Sequence, residues 1–199
     1  MSHVDPRHGA KQPEIFSADR AERLDDPARE AWLPTERLVA LLDLRADAYA
    51  LDFGTGTGRY ALALAAAHPR TRVCAFDVQP EMIAIVEERV AQRGLANVVT
   101  QTGNAGELPA HAYDRVLAVN VLHEIGDADL AELRARAAPG GWALIVDWDG
   151  TRERPVGPPP DHVHTPEEAG QRLRHAGFTR IDALDVPQFP YHFVLRASG

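Results

Sequence analysis

The chain has 199 residues, of which 45% are hydrophobic and 25% charged, the balance of an ordinary water-soluble globular protein and enough for one well-packed domain rather than two. Its formal net charge of -8, from 29 acidic against 21 basic side chains, disfavours nucleic acid as a partner and leaves a small-molecule substrate as the expectation. No apolar run reaches the roughly 20 residues of a membrane-spanning helix. Residues 1–16 lack the apolar core of a signal peptide. The lone Cys74 excludes an internal disulfide and fits a reducing compartment, so the expected location is cytoplasmic, without a membrane partner.

Residues 1–18 carry no periodicity and are expected to form a flexible tail, with one domain over 19–199. Asp26-Pro27 reads as an N-cap and first helical position, and Pro34 forces a break in that helix. The apolar set Leu38, Val39, Leu41 and Leu42 then needs a surface to pack on, so residues of about 19–45 are expected to form a helical lid.

From Ala48 the chain alternates strand and helix. Strands are expected at 49–53, 72–76, 97–101, 115–120 and 142–147, and helices at 60–67, 81–93 and 127–137. Gly94 reads as a C-cap, and Pro139-Gly140-Gly141 as the stop of the third of these helices. Residues 152–160 hold four prolines and read as a stiff surface loop. Thr165-Pro166-Glu167-Glu168 is a capping box for a helix that Gly177 ends, and two closing strands come after it without a helix between them. The pattern specifies a parallel sheet with helices on both faces and one antiparallel edge strand.

The strongest motif is Asp52-Phe53-Gly54-Thr55-Gly56-Thr57-Gly58 between a strand and a helix. Glycines there let backbone approach a ligand where a Cβ would clash. A dinucleotide fingerprint would need a further glycine at Arg59, and an acid at Asp52 would repel a pyrophosphate but suit a cationic ligand. Asp77, closing the second strand 23 residues after Gly54, can accept hydrogen bonds from two ribose hydroxyls, or serves as an N-cap or turn residue before Pro80.

The motif Asp52-x-Gly54-x-Gly56-x-Gly58 resembles the first motif of the class I S-adenosylmethionine-dependent methyltransferases, and the likeness to small enzymes of the ubiquinone/menaquinone-biosynthesis type runs from about Leu24 to Arg196. The resemblance implies a Rossmann-like three-layer α/β sandwich with a mostly parallel seven-stranded sheet, ordered 3-2-1-4-5-7-6 with strand 7 antiparallel. It implies S-adenosylmethionine as cofactor and S-adenosylhomocysteine as product. The cofactor residues it implies are Asp52, Gly54, Thr55, Gly56 and Gly58, then Asp77 with Val78 beside the adenine. Asn104 and Ala105 come next, Asn104 standing where the family commonly has Asp, and then Asn120. The implied reaction is in-line transfer of the sulfonium methyl to oxygen or carbon of a small molecule. His123 is the candidate general base, with Glu124 as a residue that can orient it. His123 also reads as a structural residue of its loop. Trp32 and Trp148 are candidates for the wall of an acceptor pocket, or ordinary packing. A cofactor-binding partner subunit without turnover is the alternative reading of the whole chain.

Three further features carry less. Arg134 with Arg136, and Arg152 with Arg154, are interleaved with acids and read as solvated surface. Asp161-His162-Val163-His164 lacks an evident third ligand, so no metal site is expected. His192 reads as a surface or pocket-wall residue.

Overall fold

A computed structural model describes residues 18–199; the expected tail over 1–18 therefore lies outside the described residues except for Ala18. The segment expected to form a lid begins with two 3-10 helices, Ala18–Asp25 and Pro27–Ala31, before α1 (Thr35–Leu41). The Asp26 side chain caps the second by accepting from Ala28 N, as Asp-Pro foretells, but Pro34 is too close for a full α-helix to develop.

The alternating core then runs β1 (Tyr49–Phe53), α2 (Arg59–Ala67), β2 (Arg72–Asp77), α3 (Pro80–Arg93), β3 (Val98–Thr102), β4 (Tyr113–Val119), α4 (Asp127–Arg136), β5 (Ala137–Trp148), α5 (Pro166–His175), β6 (Arg180–Ala183) and β7 (His192–Ser198). Gly94 closes α3 with φ 62, and the Thr165 hydroxyl accepts from Glu168 N while the Glu168 carboxylate accepts from Thr165 N.

The strands form one seven-stranded sheet in the order β3-β2-β1-β4-β5-β7-β6. β7 runs antiparallel to both β5 and β6, as the resemblance implies. Strand pattern alone places the antiparallel strand at an edge. Instead β7, with Phe193, Val194, Leu195 and Ala197 buried, inserts beside β5, and the shorter, more exposed β6 takes the edge.

Two apolar clusters fill the layers. One face of the sheet packs Phe53, Phe76, Val116 and Ile145 against Leu130, Leu133 and Leu173 of α4 and α5. The other packs Val73, Leu117, Leu144 and Val146 against Leu38 of α1, Leu64 of α2 and Val86 of α3. β5 buries residues on both faces, which its near-continuous apolar run requires.

Pro139-Gly140-Gly141 does not terminate α4 in a loop. It lies within β5, in a register shift between the pairs Tyr113↔Ala137 and Arg115↔Trp142. Arg136 is likewise not solvated surface: it is 5% exposed and bonds to the carbonyls of Leu108 and Gly106 and to Glu132, tying α4 to the turn at 105–107. Among the described residues no helix is long and apolar enough to cross a membrane.

Candidate cofactor and acceptor site

The strand order reverses between β1 and β4, so the carboxyl ends of the parallel strands β1, β2, β4 and β5 lie together at the edge where open α/β sheets bind ligands. The glycine loop is bound tightly to its neighbours. Gly54 N and Thr55 N both donate to Phe76 O at 2.8 Å, and Gly58 N donates to Thr55 O. At Gly54, with φ 72, an added Cβ would fall 2.6 Å from Val121 Cγ2, so only glycine lets the loop meet the segment after β4.

Asp52 lies beneath this loop and is 1% exposed. Its Oδ2 accepts from the Thr55 hydroxyl at 2.7 Å and from Ala61 N at 3.1 Å. Burial pushes its pKa up to about 6, against the lowering effect of those two bonds. The carboxylate thus supports the loop from below instead of facing a cationic ligand, as its place in the motif suggests. Thr55 is buried too, its hydroxyl spent on Asp52.

Asp77 joins the loop to β2. Its Oδ2 accepts from Gly56 N at 2.9 Å and its Oδ1 from Gln79 N at 3.0 Å. Burial raises its pKa despite these bonds. Each oxygen keeps a lone pair for a further donor, as a pair of ribose hydroxyls requires. Val78 next to it is 48% exposed, an unburied apolar face of the kind an adenine ring covers. Ala105 is buried, while Asn104 is exposed and spends its Oδ1 on Gly106 N at 2.8 Å, capping a 3-10 turn.

Asn120 follows β4 with φ 56, a left-handed conformation that asparagine tolerates, and its N donates to Val146 O at 2.8 Å. Its Oδ1 is buried without a hydrogen-bond partner. A buried acceptor of that kind is rare unless something outside the protein satisfies it. Gly56 N–Asp77, the uncovered Val78 and the orphaned Asn120 oxygen therefore fit a ligand with a ribose, an adenine and a hydrogen-bond donor, which describes S-adenosylmethionine.

His123 lies three residues further on. Its Nδ1 lies 2.8 Å from Asp147 Oδ1, at the end of β5, and its backbone N donates to Asp147 Oδ2 at 3.1 Å. Trp148 N also donates to Asp147. Burial alone would lower the His123 pKa, but the Asp147 carboxylate outweighs it and holds the imidazole above its ordinary value. Asp147, buried but paired, stays below the usual carboxylate range. Glu124, the orienting residue expected from sequence, is farther away, with its carboxylate 3.6 Å from Nε2. Sequence reasoning misses Asp147 because its tie to His123 comes from the β4–β5 pairing, which brings residues 24 apart into contact.

Trp32 of the N-terminal helical segment and Arg154 of the proline loop both pack against Trp148 at the end of β5. Trp32 and Trp148 have ring centroids 5.2 Å apart, and His192 packs against both. His192 is 3% exposed rather than at the surface. Arg154 is half-buried and donates to Pro158 O, folding the proline loop toward Trp148.

Comparison with known proteins bears on the fold and the family. The methyltransferase-domain family matches residues 50–141. A solved S-adenosylmethionine-dependent methyltransferase from Aquifex aeolicus is 31% identical, covers 92% of this chain and 98% of its own, and superposes with a TM-score of 0.83. Ribosomal protein L11 methyltransferase of Citrifermentans bemidjiense is 34% identical over 48% of this chain, which spans only 30% of that protein. 27-O-demethylrifamycin SV methyltransferase of Amycolatopsis mediterranei is 29% identical over 78% of this chain and 62% of its own length. These relatives differ in acceptor class, one being named for a ribosomal protein and one for a small molecule. With the Aquifex protein matched almost end to end, the chain belongs to the S-adenosylmethionine-dependent methyltransferases.

Proposed function

We propose that the protein transfers a methyl group from S-adenosylmethionine to an oxygen or carbon nucleophile of a small molecule by in-line displacement. The observation that carries this reading is the Gly56 N–Asp77 Oδ2 hydrogen bond, which locks the glycine loop and the ribose-binding acid into one crevice. The cofactor supplies an already activated methyl, so alignment and exclusion of water are the main tasks left to the chain.

In this reading Asp77 holds the ribose, Val78 and Ala105 flank the adenine, and the glycine backbone with Asn120 receives the methionine end. Asp52, Thr55 and Asn104 shape the loops that do the binding. His123 takes the acceptor's proton at Nε2: the Asp147 contact assigns the ring hydrogen to Nδ1 and leaves Nε2 as the basic atom. A buried, oriented base of this kind supports turnover over a role as a binding-only partner.

Calorimetric titration with S-adenosylmethionine and S-adenosylhomocysteine tests the reading. Micromolar binding that falls at least tenfold in Asp77→Asn is the expected result. Binding of neither compound to a folded protein would overturn it.

A further inference from the structure

Seven buried side-chain polar atoms lack a hydrogen-bond partner among the described residues. Four of them belong to Arg29, Arg154 and His192, near the paired ends of β5 and β7, and the Tyr60 hydroxyl faces Arg29. Folded proteins seldom leave such atoms unpaired, and a concentration of them marks a place where a ligand completes the bonding.

The two cations stand out. Arg29 is 9% exposed, with its guanidinium 5.4 Å from the Trp32 ring centroid. Arg154 lies 5.6 Å from the Trp148 ring and donates only to the carbonyls of Asp149, Arg152 and Pro158. Each has its Nε buried and unpaired, and neither forms an ion pair among the described residues. The nearby acids are already engaged, Asp147 by His123 and Asp149 by Arg152 and Thr151. A desolvated guanidinium without a carboxylate is costly, and its fork geometry matches a planar oxyanion.

Between the arginines stands an aromatic wall. His192 stacks on Trp32 at 5.6 Å and an interplanar angle of 9°, and sits 4.3 Å from Trp148. Burial pushes its pKa down to about 3, so the ring is neutral and carries one unpaired donor and one unpaired acceptor. A hydroxyl, which both donates and accepts, satisfies whichever nitrogen it meets.

We propose that this cluster is the acceptor subsite and that it takes a small planar anion: an aromatic ring bearing a carboxylate or phenolate, its charge held by Arg29 and Arg154 beside the packed rings of Trp32, Trp148 and His192. The proposal rests on the methyltransferase reading for the word acceptor, but the anion site is tested without it. A single small anion suits two arginines in a chain of net charge -8, where a polyanion does not.

The test titrates the protein with 3-hydroxybenzoate and with its neutral amide, 3-hydroxybenzamide, with and without saturating S-adenosylhomocysteine, tracking tryptophan fluorescence and calorimetry. The acid is expected to quench fluorescence and bind at least tenfold tighter than the amide. Arg29→Gln and Arg154→Gln should each weaken the acid tenfold or more while S-adenosylhomocysteine affinity stays within twofold, which also shows that the variants fold. Acid and amide binding alike, or neither binding, overturns the subsite.

A carboxylate is also carried by the cofactor's own methionine end, and 5′-methylthioadenosine, which lacks it, separates the two sources. If Arg29→Gln weakens S-adenosylhomocysteine but leaves 5′-methylthioadenosine and the acid unchanged, the arginine serves the cofactor and the subsite is overturned. Loss of cofactor binding in the wild-type protein instead sinks the methyltransferase reading, while the cofactor-free titration still decides the anion site.

Discussion

His123 and Asp52 are both ionisable groups with raised pKa values, and the consequences are separable. As a base, His123 must be neutral, so kcat/KM is expected to climb with pH through a value above that of an ordinary imidazole. Asp147→Asn removes the carboxylate that holds it there, so the acidic limb of the profile shifts to lower pH while kcat falls. His123→Ala should cost about 10²–10⁴ in kcat and leave S-adenosylhomocysteine binding within a few-fold. An unchanged acidic limb in Asp147→Asn would remove His123 from the chemistry. Asp52 acts on stability. Its folded pKa of about 6 lies above the ordinary carboxyl value of 3.8, so its contribution is fully present below about pH 4 and is lost as pH rises through about 6. Asp52→Asn keeps an acceptor for Thr55 and Ala61 without the buried charge. It should be more stable than the wild type at pH 8, by on the order of 2 kcal/mol, with the advantage shrinking below about pH 6 and gone by about pH 3.5 in denaturant melts. At this scale the residues to which the proposed reaction gives work, Asp77, Asn120 and His123, are singled out by the sequence. Asp147 and Arg29 are not, and His192 is read only as a surface or pocket-wall residue, because their surroundings come from neighbours far away in the chain.

The glycine loop and the helix caps show why local pattern reads well where one element decides the outcome. Strand β1 is legible at its true bounds, 49–53, because a short apolar run closed by glycines has few alternatives. Pro139-Gly140-Gly141 reads as a stop and is not one, because the β4 partner that draws it into β5 lies outside any local window. Two glycines of like conformation separate backbone strain from packing. Gly94→Ala meets nothing within 4 Å and has φ 62, so it should cost only the strain of a left-handed alanine, about 1–2 kcal/mol, with cofactor affinity intact. Gly54→Ala carries the same strain at φ 72 and also drives a methyl into Val121. It should displace the segment bearing Asn120 and His123, lose cofactor binding at least tenfold, and melt lower than Gly94→Ala. Equal binding by the two variants, read by calorimetry, would mean that the loop does not touch the cofactor.

Over the whole molecule, the lid is joined to the Rossmann-like core by polar contacts that cross layers. Asp25 bonds to Arg89 of α3 and to the Thr57 hydroxyl, while Glu30 pairs with Arg59 at the start of α2. Leu24 lies over Gly56, where an added Cβ would come within 2.9 Å of its side chain. In the proposed reading a ligand on the glycine loop sits under this segment, which is expected to lift for it to pass. The Asp25–Arg89 pair is about a third exposed, and such pairs contribute roughly 0.2–1 kcal/mol and weaken with salt. This makes the latch easy to open without unfolding the sheet. Asp25→Asn should speed hydrogen exchange in residues 21–33 severalfold while β1, β4 and β5 keep their protection, because those strands are buried and paired on both sides. Association and dissociation of S-adenosylhomocysteine should both accelerate, with Kd changing less than either rate, and raising the salt should speed the wild-type protein toward the variant. If exchange in the lid quickens but both rates stay put, the cofactor reaches its crevice by a route that does not lift Leu24, and the opening between Trp32 and the proline loop is the path left to it.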